Sequence, residues 1–263
     1  MKKYYHFFSF KWIFPVLAMG LIICVYWDVI TTYFTFDINA PDLANVNGDE
    51  IKQHVINSML SYDVSLFNFS FYQSFALPII ILITVYNYYN IKNRMVKYNI
   101  GKNKLYSGEL LILKSTCALI PVVIFLLVYL TVILVSAFSS GFSYSNLETD
   151  FSNDSILSKI IINPVLYAIF YGFIKSISIF INGIFACYLV DVMKSFIKGA
   201  LFFVLFLWVL SPILYYFLPF EFVPMTSLMI TSYSNLNIIQ IFSPYLIYIA
   251  IYLVSKCVVS YEV

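Results

Sequence analysis

A short basic segment held between two long apolar runs constrains this chain more than any other feature. Residues 90–114, NIKNRMVKYNIGKNKLYSGELLILK, carry Lys92, Arg94, Lys97, Lys102, Lys104 and Lys114, although only 11% of all positions are charged. The flanking runs approach the ~20 apolar residues that cross a bilayer core of about 30 Å. Lys and Arg are retained on the cytoplasmic face of a membrane, so the arrangement reads as a cytoplasmic loop joining two spans. The remaining topology is counted outward from it.

Composition supports that reading. Of the 263 residues, 62% are hydrophobic, and the mean hydropathy is +0.88. Too little polar surface is left to cover a globule in water. The apolar runs are continuous rather than alternating, which selects helices over a β-barrel. The expectation is an all-α membrane protein, one domain over residues 1–263, with six transmembrane helices. These fall at about 12–34, 69–89, 110–138, 164–190, 200–217 and 238–254, with a cytoplasmic loop at 90–109. Residues 2–12, KKYYHFFSFKW, mix aromatic and basic side chains as an interfacial helix does; a plain basic start to the first span explains them equally well. Within the acidic loop 35–68, IKQHVINSML (51–60) has the pattern of a short amphipathic helix. Residues 218–237 are broken by Pro219 and Pro224 and are too interrupted for a span; whether they re-enter the outer leaflet as short helices or stay outside it is open at this point.

Charge tests this layout. Lys2, Lys3, Lys11, the six basic residues of the central segment, Lys194, Lys198 and Lys256 fall on one side, against Lys52 and Lys159 on the other. That bias places both termini in the cytoplasm. Abundant Ile, Tyr, Phe, Asn and Lys fit a bacterial protein, and hence the bacterial plasma membrane.

Signatures of catalysis are missing. His6 and His54 belong to no H-E-x-x-H pattern, and the chain has neither G-x-S-x-G nor a Gly-rich phosphate loop. Cys24, Cys117, Cys187 and Cys257 lack metal-site spacing and read as small apolar side chains. No enzymatic activity, metal or cofactor is expected in this chain. Two ionisable residues lie within spans, where charge is costly and usually functional: Asp28 and Lys175. Their depths differ by roughly 10 Å, much of which a long lysine side chain covers. They either pair or share a polar cleft, or else Asp28 reaches outer water while Lys175 caps a packing interface. In the central loop, Ile91, Met95 and Tyr98 share one helical face, with Lys92, Arg94 and Lys97 on others. The second span would therefore continue as an amphipathic cytoplasmic helix, stop at Gly101 and return. Such an element binds either lipid headgroups or a soluble partner.

An aromatic-basic start, a first span, an external loop and a second span entering the basic turn NRMVKYNIGKNKLY (93–106) resemble the membrane subunits of ABC-2-type exporters. The stretch from Asn163 to Leu214 is similar to that family's fourth and fifth spans, with Pro and Leu-Tyr opening the fourth and a short basic turn before the fifth. The resemblance implies an ABC-2 exporter-like permease fold. It also implies two permease copies or paralogues working with a separate ATPase subunit that holds ATP and Mg. Arg94, Met95, Lys97, Tyr98, Gly101, Lys102 and Lys104 would then contact that ATPase. NYYNIKN replaces the acidic stretch common before this turn, so no acid's role carries over. The cargo would be hydrophobic or amphipathic, such as a toxin or antimicrobial peptide. Two other readings share the topology: a stand-alone secondary transporter, and a non-transporting sensor or immunity protein that binds a peptide at its outer loops.

Overall fold

The computed structural model describes residues 12–38, 40, 47–98, 103–139, 163–219, 222–225 and 241–260. All regular structure among them is helical. The elements are α1 (Ile13–Val25), α2 (Trp27–Thr35), α3 (Gly48–Met59), α4 (Tyr62–Tyr98), α5 (Asn103–Ser139) and α6 (Pro164–Val192). They continue as α7 (Phe196–Leu205), a π-helical turn (Phe206–Leu210), α8 (Ser211–Phe217) and α9 (Tyr245–Ser260).

Among the described residues four helices are long and apolar enough to cross a membrane: Tyr62–Arg94, Gly108–Ser139, Val165–Val192 and Phe196–Phe217. A fifth span results if α1 and α2 count as one, but they meet at a 54° bend. The single first span expected at 12–34 is thus broken at Tyr26, whose φ of −102° and ψ of 14° leave the helical region. Neither proline nor glycine causes the break, so it was not visible in the composition. The sixth expected span is represented by α9, whose apolar part, Tyr245–Val254, is too short to qualify. Six crossings are therefore not reached among the described residues. The interfacial segment 2–11 and most of the interrupted segment 218–237 lie outside them.

Local chemistry explains the boundaries. Asn47 caps α3: its Oδ1 accepts from the Asp49 N–H at 3.2 Å, while its Nδ2 donates to Glu50 at 3.0 Å. Asp63 adds favourable negative charge to the first turn of α4. Helix α6 starts at Pro164, where the missing N–H costs nothing, and Asn163 Oδ1 accepts from the N–H groups of Val165 and Leu166. Helices α4 and α5 run well beyond the expected spans. Each has 37 residues, or about 55 Å against a hydrocarbon core of ~30 Å.

Helices α4, α5 and α6 pack against one another at the centre; α1 lies on α4 and α5, and α7 lies on α6 and α4. Small residues allow the closest approaches. A Cβ on Gly183 would fall 2.9 Å from Ala118 Cβ, and one on Gly199 would fall 2.8 Å from Val190 Cα. Large apolar side chains such as Ile79, Leu127, Leu134, Ile169, Phe173 and Leu201 point outward and are exposed. Polar residues such as Gln73, Asn87, Lys175 and Asn182 are buried inside. Apolar surface outside and polar groups inside suit a bundle whose solvent is lipid. The chain reads as a multi-pass helical membrane protein.

Candidate functional site

Two polar constellations lie among α4, α5 and α6, one buried along the interior and one half-buried at an end of the bundle. The first is a stripe along α6. Tyr167, Tyr171, Lys175, Ser178 and Asn182 recur at i, i+4, i+8, i+11 and i+15, and all are buried. This is one face of a helix, and it looks inward.

At one end of the stripe three helices share a relay. Tyr129 donates its hydroxyl proton to the Ala168 carbonyl at 2.9 Å. Tyr62, 2.6 Å from the Tyr129 oxygen, must therefore be the donor to it. One hydroxyl chain thus ties α4 to α5 to α6. The Tyr129 ring stacks on Phe125 and Phe69, at centroid distances of 5.6 and 5.9 Å. One turn further along α6, the Tyr171 hydroxyl lies 2.7 Å from Ser70 Oγ and accepts from Gln73 Nε2 at 3.1 Å. Lys175 follows, fully enclosed, with Nζ 5.7 Å from the centroid of the Tyr171 ring. The ring face is electron-rich and attracts an ammonium group. Beyond it, Asn182 Nδ2 donates to the Ser178 carbonyl at 2.9 Å, and Asn182 Oδ1 accepts from Tyr248 of α9 at 2.8 Å. Tyr248 is held edge-on against Phe185 and Phe206. The π-helical turn contributes Phe206, so its extra residue helps shape this contact.

The second constellation is an ionic node at the end of the bundle that carries the basic segment. Asp191, in the last turn of α6, receives Lys92 Nζ of α4 at 2.5 Å on Oδ1 and Lys114 Nζ of α5 at 2.6 Å on Oδ2. Tyr88 donates to the same carboxylate, with both oxygens at 2.8 Å. Side-chain exposures of 17–23% leave the ions half-buried, so their attraction is neither fully screened nor fully desolvated. A single carboxylate, two ammonium groups and one phenol pin α4, α5 and α6 together near the end of α6.

The expected site residues fall in three places. Arg94 is exposed near the end of α4, and Met95, Lys97 and Tyr98 continue that helix; Lys104 lies in the first turn of α5. Gly101 and Lys102 lie outside the described residues. The helical continuation of the second span to Tyr98 agrees with the face formed by Ile91, Met95 and Tyr98. Asp28 is exposed in the first turn of α2, while Lys175 is enclosed, and no ion pair among the described residues joins them.

Sequence reasoning missed Asp191. Nothing in its neighbours announces that two lysines, 99 and 77 positions away, converge on it. The α6 stripe was missed too, although its helical spacing was legible. Comparison with known proteins finds no matching family model, no matching curated protein and no matching solved structure. What fold and site define is a class: an all-helical bundle with several candidate membrane spans and polar groups in its interior.

Proposed function

We propose that this chain is the permease subunit of an ATP-driven exporter in the bacterial plasma membrane, coupled through its α4–α5 arm to a separate ATPase. The observation that carries this reading is the length of α4 and α5. Helices of about 55 Å outrun a ~30 Å core, and the excess bears the basic turn expected to meet a soluble partner. The Asp191 node supports it, because motion of the arm would reach α6 through three charge-assisted contacts rather than dissipate at a flexible loop. In this reading the chain is not itself an enzyme; ATP and Mg belong to the ATPase, and a second permease completes the path. The buried stripe of α6 provides polar contacts beside an otherwise apolar interior, as a hydrophobic or amphipathic cargo with a few polar groups requires.

One observation favours a second reading, a stand-alone secondary transporter. An enclosed lysine with a run of tyrosine, serine and asparagine at mid-helix is the kind of group that binds a substrate or moves a proton in such proteins. Purification from mild detergent followed by mass spectrometry of co-purifying proteins separates the two. The permease reading expects a P-loop ATPase whose recovery falls at least about tenfold on charge reversal at Arg94, Lys97 and Lys102. Recovery of the chain alone at every salt concentration overturns it and leaves the Lys175 stripe as the site of transport.

A further inference from the structure

Away from the polar stripe, a groove of about 320 Å³ opens between α6, α7 and α9. Its walls include Leu189, Val192, Met193, Phe202, Ile251 and Val254, and its lining is almost wholly apolar. Tyr188 also contributes, but its hydroxyl donates to the Tyr252 carbonyl at 3.4 Å. The volume is that of an ordinary small-ligand site, and it admits a hydrocarbon chain better than a hydrated molecule. Its position is informative. Val192 and Met193 end α6 at the level of Asp191, so the groove lies at the bundle end that carries the basic segment.

Two lysines adjoin its lining residues in the chain. Lys194 directly follows Met193, is exposed, and holds a φ of 50°, a left-handed conformation that favours glycine. Lys198 is exposed one turn before Phe202 on the same face of α7. Among the described residues neither lysine is in an ion pair. An apolar slot flanked in the chain by two exposed lysines is complementary to one kind of molecule in its surroundings. We propose that this groove binds a bilayer phospholipid with an anionic headgroup, one acyl chain lying against Phe202 and Ile251 and the phosphate held by Lys194 and Lys198. The site is independent of the transport reading.

The test places a reporter in the groove. Trp12, Trp27 and Trp208 are replaced by Phe, Phe202→Trp is introduced, and the chain is reconstituted into nanodiscs. Quenching by brominated phosphatidylglycerol is compared with quenching by brominated phosphatidylcholine at equal mole fractions. A lysine near the membrane surface favours an anionic lipid by about fivefold, so the phosphatidylglycerol curve should lie several-fold to lower lipid content. Lys194→Gln with Lys198→Gln should merge the two curves without lowering the melting temperature. Native mass spectrometry of the unsubstituted chain from mixed micelles gives a check free of the reporter: retained phosphatidylglycerol should exceed phosphatidylcholine and fall in the double variant. Equal quenching and equal retention of both lipids overturn the proposal, leaving a groove that touches bulk lipid unselectively. Absence of quenching by either lipid, with cross-linked dimers through position 202, overturns it in favour of a second copy of the chain.

Discussion

A single carboxylate illustrates how much one residue can hold in a low-dielectric bundle. Asp191 accepts from Lys92, Lys114 and Tyr88 at once, and each partner sits on a different turn or a different helix. Removing it leaves two ammonium groups side by side with no counter-charge and strips a buried phenol of its acceptor. Asp191→Ala should therefore lower stability in detergent by about 1–3 kcal/mol, read as a fall in melting temperature. Lys92→Ala and Lys114→Ala should each cost less, since Asp191 keeps one ammonium partner, and their double-mutant cycle should be non-additive. Strict additivity would mean that the two lysines do not share the acid. The residue types at this node were plain in the sequence. Their convergence was not, because it depends on the packing of three helices separated by long stretches of chain.

Among the elements, small residues decide how near the helices come. Gly183 faces Ala118 so closely that an added Cβ would meet both its Cβ and its Cα, at 2.9 and 3.0 Å. The obstacle includes backbone, so the neighbour cannot simply rotate aside; α5 and α6 must separate. Gly183→Ala should cost about 1–3 kcal/mol. Gly20→Ala on α1, where nothing lies within 4 Å, should be neutral or slightly stabilising through helix propensity. Equal melting temperatures for the two variants would show that α5 and α6 are not held at this distance. Helix α6 was readable nearly end to end, since Pro164 and the basic link after Val190 mark its limits in the sequence. Tyr26 shows the opposite case: the break between α1 and α2 has no proline or glycine to announce it, and a continuous apolar run there predicts a straight helix.

The charge asymmetry of the whole molecule predicts its orientation. Lys194 lies in the turn between α6 and α7, and Lys52 lies in α3. In a variant whose cysteines are replaced by serine or alanine, a cysteine at position 194 should react with a membrane-impermeant maleimide only from the inner side. A cysteine at position 52 should react only from the outer side. Labelling of both from one side would overturn the layout counted from the basic segment. Membrane class and helical content were legible from sequence alone because they follow from transfer energetics: an apolar run of sufficient length must enter lipid, and its backbone groups must then bond within the segment. The continuation of the second span to Tyr98 was legible because Ile91, Met95 and Tyr98 recur at helical spacing. Only the tertiary structure decided which polar groups meet. It set the Tyr62–Tyr129–Ala168 relay, the enclosure of Lys175 beside Tyr171, and the gathering of Lys92 and Lys114 on Asp191. Hydropathy measures how readily each segment leaves water, but side-chain pairing depends on the rotation and distance between packed helices, and those emerge only when the bundle closes.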